Sequence, residues 1–149
     1  MNPYLAEADN LAMVHARTYV ELGQIALAVL RKMDRAVTPV SIGQACGPIT
    51  SGGLGSIEAN LKRFEWRVKK LQSRGLHIFD QLPFEGHMFR IWDANGRNDD
   101  KTLLEDFYSP IFESGLIKTL HFIPGWPGSN GSMWEHRQAV RLGIKIDYL

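Results

Sequence analysis

Leu116-Ile117-Lys118-Thr119-Leu120-His121-Phe122-Ile123 runs directly into Pro124-Gly125-Trp126-Pro127-Gly128-Ser129-Asn130-Gly131-Ser132-Met133-Trp134-Glu135, and the reading of this junction decides the fold. The first eight residues have the apolar content and length of a buried strand. Turn formers follow, and residues 133–143 show a helical pattern in which Trp134, Ala139, Val140 and Leu142 supply apolar surface. A crossing from strand to helix leaves the helix's first N–H groups unpaired beside the carboxyl edge of a sheet, where an anion such as phosphate fits. Ser129, Asn130 and Gly131 fall at that point, and Glu135 lies one turn further on. The same residues carry a structural alternative. Ser132-Met133-Trp134-Glu135 fits a capping box, in which the hydroxyl accepts from one free N–H and the glutamate from another.

Outward from this junction the pattern alternates. Residues 39–46 read as a short strand with Pro39 at its first position, where a missing N–H does least harm. A loop with four glycines follows, Ser56 is a good N-cap, and a helix reaches about Arg74 with Gly75 at its stop. Ile57, Leu61, Phe64, Val68 and Leu71 share one side of that helix. Residues 76–79 form a second strand, ending at Asp80 and Gln81. These sit where open sheets bind ligands, so Asp80 is a candidate ligand contact, or else the organiser of the turn before Pro83. Residues 84–92 read as a short helix whose Phe84, Met88, Phe89 and Trp92 offer either core or a stacking surface. Residues 93–100 are a polar loop without the downstream glutamate of a calcium site. Thr102-Leu103-Leu104-Glu105 is a second capping box, opening a helix that stalls at Pro110 and ends before Gly115.

The order of elements predicts an α/β fold: an open parallel sheet of four to five strands with helices on both faces, Rossmann- or flavodoxin-like, with the site at the strands' carboxyl ends. Residues 3–33 precede it as one long amphipathic helix, within which Gly23 permits close approach of another backbone. The expected division is therefore an N-terminal helix, 1–35, for packing or oligomerisation, and a nucleotide-binding-like domain, 36–149.

At 149 residues, 44% hydrophobic and 22% charged with a net charge of +1, the chain gives no push toward nucleic acid or an anionic membrane surface. Its single cysteine, Cys46, has no partner for an internal disulfide and no metal-ligand spacing around it. No two histidines have ligand spacing on one element, so no metal is expected. The pattern shows no charged leader followed by an apolar core, and the expectation is a cytoplasmic protein.

Two motifs resemble a known family. Ser129-x-Gly131-x-x-x-Glu135, followed by a helix with Ala139 and the short strand Ile144-Lys145-Ile146, is similar to the closing motif of the nucleoside 2-deoxyribosyltransferases and of their relatives that hydrolyse nucleotide N-glycosidic bonds. Gly47-Pro48-Ile49-Thr50-Ser51-Gly52-Gly53, directly after the first strand, resembles the opening nucleotide-binding loop of that family. The resemblance implies that Glu135 is the nucleophile, that Asp106 assists it, and that the loop with Ser129 holds phosphate. It implies a small-molecule nucleotide or nucleoside as partner, no cofactor, and a homo-oligomer. Deoxyribosyltransferases proper carry an aspartate shortly before the closing glycine, whereas residues 124–133 hold no carboxylate. Thr50 stands where the monophosphate hydrolases carry arginine. Hydrolysis is thus implied ahead of transfer, and Trp126 is an aromatic at the rim suited to stacking a base or to closing the core.

Alternatives remain at this level. Residues 52–58 begin like a dinucleotide fingerprint, but with Glu58 at its third glycine position. The same run resembles the Gly-Gly-x-Gly-Thr-x-x-Glu signature of cytokinin-type phosphoribohydrolases, with Ser56 for threonine. A non-catalytic nucleotide-binding module would keep the glycine loop while Glu135 only caps its helix, and a purely structural assembly protein would bind no nucleotide.

Overall fold

The computed structural model describes residues 2–97 and 100–149; Asn98 and Asp99 of the polar stretch lie outside the described residues. The fold is α/β with an open, all-parallel sheet of four strands in the order β2-β1-β3-β4. The chain forms two compact units, Met1–Thr38 with Gln81–Leu116 and Pro39–Asp80 with Ile117–Leu149. No described helix is long and apolar enough to cross a membrane.

The first unit begins with two helices where the periodicity predicts one, α1 (Glu7–His15) and α2 (Tyr19–Val37). The break has identifiable causes. Thr18 is extended and its hydroxyl accepts from Glu21 N–H at 3.1 Å, while the Glu21 carboxylate accepts from Arg17 N–H at 3.1 Å, so a new N-terminus is satisfied there. The preceding C-terminus is satisfied by Arg90 of α4 (Leu82–Ala94), whose guanidinium donates to the carbonyls of Ala16 at 2.8 Å and Met13 at 2.9 Å, a cation at the negative end of the helix.

Downstream in this unit, α5 (Asp100–Thr102) passes through a π-helical stretch, Leu103–Tyr108, into α6 (Ser109–Glu113). Thr102 makes no capping bond there, because it lies inside helical backbone rather than before it. Pro110 explains the wide turn: it has no N–H for the Asp106 carbonyl, and Ser109 N–H reaches back five residues to Leu104 instead. This turn meets α2 at Gly23, where an added Cβ would sit 3.0 Å from the Asp106 carbonyl oxygen and 3.3 Å from Phe107 Cα. Phe84 and Met88 are buried, and Phe84 lies with its ring centroid 5.8 Å from Phe107. Both are core in this unit.

The second unit holds β1 (Ile42–Cys46), α3 (Ile57–Ser73), β2 (His77–Ile78), β3 (Ile117–Phe122), α7 (Asn130–Leu142) and β4 (Lys145–Tyr148). All five residues of β1 are buried, as a central parallel strand requires. Its unpromising Gly43 is explained by a neighbour: a Cβ there would lie 2.6 Å from Nε2 of His121. That ring is held across the sheet by Asp147 of β4, at 2.7 Å from Nδ1. β2 is shorter than the 76–79 expected, although Phe79 N–H still donates to the Gly43 carbonyl at 2.8 Å.

Candidate functional site

The strand order places a topological switch between β1 and β3. From β1 the chain goes outward to β2, then returns to the other side of β1 as β3. In open parallel sheets ligands commonly bind at such a point, beyond the carboxyl ends of the strands, where the loops leaving them lie. Those loops are the glycine-rich residues 47–55 and the residues 123–129 with which the sequence reading began. The structure brings them together: a Cβ at Gly52 would sit 2.4 Å from the Gly128 carbonyl oxygen, and one at Gly47 2.8 Å from Ile123 Cβ.

Each loop is held by specific groups. Gly52 and Gly53 take φ of +67° and +66°, a backbone that side chains rarely adopt. Asn60, buried in the first turns of α3, donates to the carbonyls of Ile49 at 3.0 Å and Gly52 at 3.1 Å and accepts from Leu54 N–H at 2.9 Å. Pro48 and Ile49 are buried beneath the loop, while Thr50 faces solvent. After β3, Gly125 turns the chain at φ +89°, a single 3-10 turn spans Trp126–Gly128, and α7 begins at Asn130.

The start of α7 corrects the capping reading. Ser129, not Ser132, is the N-cap: its hydroxyl accepts from Ser132 N–H at 3.3 Å, and its carbonyl from Met133 N–H at 2.9 Å. The helix therefore starts three residues earlier than the periodicity predicts, and Glu135 lies in its second turn, beyond reach of the cap. Its side chain turns inward instead. Glu135 is only 7% exposed, and its Oε2 accepts from the Cys46 thiol, the last residue of β1, at 3.2 Å. Burial, then the charge of Glu135 and the hydrogen bond to it, push the Cys46 thiol well above its ordinary range. Cys46 is thus a fixed donor rather than a nucleophile.

Of the other expected site residues, Asn130 and Gly131 occupy the first two positions of α7. Their N–H groups precede the intrahelical ladder. One face of Trp126 is taken by His136, at 4.5 Å between centroids and 9° between planes, and His136 Nε2 lies 2.7 Å from the Tyr148 hydroxyl. Asp80 is half-buried after β2 in the second unit; Asp106 is half-buried on the π-helical turn of the first. Glu58, the acid of the phosphoribohydrolase-like run, has a side chain 81% exposed and paired with Lys62 at 3.3 Å. The loop before it ends in a plain N-cap, Ser56 accepting from Ala59 N–H at 3.1 Å.

Sequence reasoning missed Cys46 as the partner of the glutamate and Asn60 as the clasp of the loop. A signal existed for each: a polarisable side chain at the carboxyl end of a buried strand, and an amide on the apolar side of a helix that otherwise presents Phe64, Val68 and Leu71. Comparison of the chain with protein-family models, with curated proteins and with solved structures finds no match.

Proposed function

We propose that the chain hydrolyses the N-glycosidic bond of a nucleotide or nucleoside, with Glu135 as nucleophile. The observation that carries this reading is the position of one carboxylate: buried, drawn off its own helix terminus, and fixed at the end of the central strand beside two joined glycine loops. In the reaction, a Glu135 oxygen forms a bond to the anomeric carbon as the bond from that carbon to the base nitrogen breaks. The base leaves with the electron pair and takes a proton from solvent, which the water of the second step gives back. Water then attacks the same carbon, releasing the sugar and restoring the carboxylate. The thiol of Cys46 would hold the attacking carboxylate in one orientation, and the free N–H groups at the start of α7 suit an anionic part of the substrate. The part of Asp106 rests on the resemblance alone. Homo-oligomerisation belongs to the same proposal, and exposed Leu11, Val14 and Val20 in the N-terminal helices offer apolar surface for it.

The test is release of free base from a panel of nucleosides and nucleoside monophosphates. The native chain should release base from at least one, and Glu135→Gln, nearly isosteric, should release none while still binding it. Undiminished release by Glu135→Gln sinks the assignment. Binding without release by the native chain would leave a nucleotide-binding module.

A further inference from the structure

Beneath the two glycine loops lies a cation that neither the loops nor the proposed chemistry account for. Arg63 of α3 is half-buried, and its Nη2 is closed to solvent with no hydrogen-bond partner among the described residues. No described carboxylate pairs with it, since the ion pairs of α3 are Lys62 with Glu58 and Lys69 with Glu65. A Cβ at Gly53 would lie 3.1 Å from this nitrogen and one at Gly125 would lie 4.0 Å from it. The guanidinium therefore lies beside both loops, closer to Gly53 than to Gly125. Leaving a buried polar group unsatisfied costs free energy, more so when it is charged. A ligand that completes the pairing is one way in which a fold accommodates such a group.

We propose that Arg63 is the cation of an anion site at the junction of residues 47–55 and 123–131, and that the ligand there is a phosphate carried by the substrate. A guanidinium keeps its positive charge and offers parallel N–H groups that match phosphate oxygens. The Cys46-bound carboxylate of Glu135 belongs to the same unit, so a substrate anchored by its phosphate presents the rest of itself to a fixed acid. This deepens the glycosidase reading and rests on it for the identity of the ligand: a phosphorylated nucleoside in preference to a neutral one.

The experiment is calorimetric titration of the full chain with inorganic phosphate, with nucleoside 5′-monophosphates and with the matching nucleosides, for the native protein, Arg63→Gln and Arg63→Lys. The native chain should bind phosphate and favour a monophosphate over its nucleoside. Arg63→Gln should lose about 10- to 100-fold of that preference, the value of charge-assisted hydrogen bonds removed, with nucleoside affinity unchanged. Arg63→Lys should recover part of it. Unchanged nucleoside affinity also certifies that each variant is folded. An equal preference in native and Arg63→Gln protein, or no preference in the native chain, overturns the proposal. The two readings fail separately: an Arg63-dependent preference with no base released upholds the anion site and removes the glycosidase, whereas base release indifferent to phosphate and to Arg63 does the reverse.

Discussion

The juxtaposition of the two loops is tested most sharply by a pair of glycine substitutions. Gly52→Ala places a methyl 2.4 Å from the Gly128 carbonyl oxygen at a φ of +67°, whereas Gly55→Ala meets nothing within 4 Å at a φ of +90°. Both carry the left-handed strain of an alanine, roughly 1–2 kcal/mol, less about 0.4–1 kcal/mol regained by stiffening the unfolded chain. Gly55→Ala should therefore cost about 0–1.6 kcal/mol. Gly52→Ala must also move one backbone segment away from another, and overpacking of that kind adds about 1–3 kcal/mol. The difference between the two isolates the contact, because strain and unfolded-state terms are shared. For a chain of this length it corresponds to roughly 3–10 °C in melting temperature. Urea or thermal denaturation of both variants measures it, and base release from the best substrate of the panel measures its consequence: Gly52→Ala impaired, Gly55→Ala near native. Equal stability losses would mean that the loops do not touch as described, and the argument that they form one site would go with them.

Other outcomes follow from single interactions. The Cys46 thiol, raised by burial and by Glu135, should resist iodoacetamide in the folded chain. Because its folded value lies above the ordinary 9.0, the folded state holds more protons above that pH, so its contribution to stability is complete below pH 9 and is lost as pH rises through the folded value. Urea titrations from pH 8 upward should show this decline, and Cys46→Val should flatten it. Asp9 has the opposite sign: the hydrogen bond from Lys32 holds its carboxyl below the ordinary 3.8, so its contribution is present above that value and disappears as pH falls through the folded one. Asp9→Asn should remove that acid-side dependence. Thr18→Ala, which deletes the cap of α2, should cost about 1 kcal/mol and speed amide exchange in the first turn of that helix.

Much of the fold was readable because its determinants are periodic. The apolar stripe of α3, the run 116–123 and the alternation of elements depend only on which residues are buried, and the parallel sheet follows from them. What escaped depends on who meets whom. Gly43 weakens β1 by composition, and only the His121 ring from β3 explains it. Pro110 was visible as a stall, but the π-helical turn it produces is fixed by Ser109 reaching Leu104, a choice that packing against Gly23 of α2 helps to set. The link between Cys46 and Glu135 spans 89 positions, a separation at which no local pattern operates.

Capping signatures show where local reading stops and why it matters for the site. Three stretches have the Ser/Thr-x-x-Glu form: 18–21, 102–105 and 132–135. Only the first caps a helix, and the periodicity of residues 3–33 had hidden it. Such a box works only if the backbone at its first residue is still extended, as Thr18 is at φ −130° and ψ 157°; Thr102 and Ser132 are already helical, so their side chains have no terminal N–H to serve. At residues 132–135 this decides where the glutamate side chain goes. Had Ser132 been the cap, Glu135 would have been spent on its own helix terminus and could not serve a ligand. Because Ser129 takes that role, the helix begins three residues sooner and the carboxylate is carried inward to the end of β1, its oxygen 3.2 Å from the Cys46 thiol. The choice between a glutamate that ties off its own helix and one turned inward to the end of β1 is thus made by which serine starts the helix.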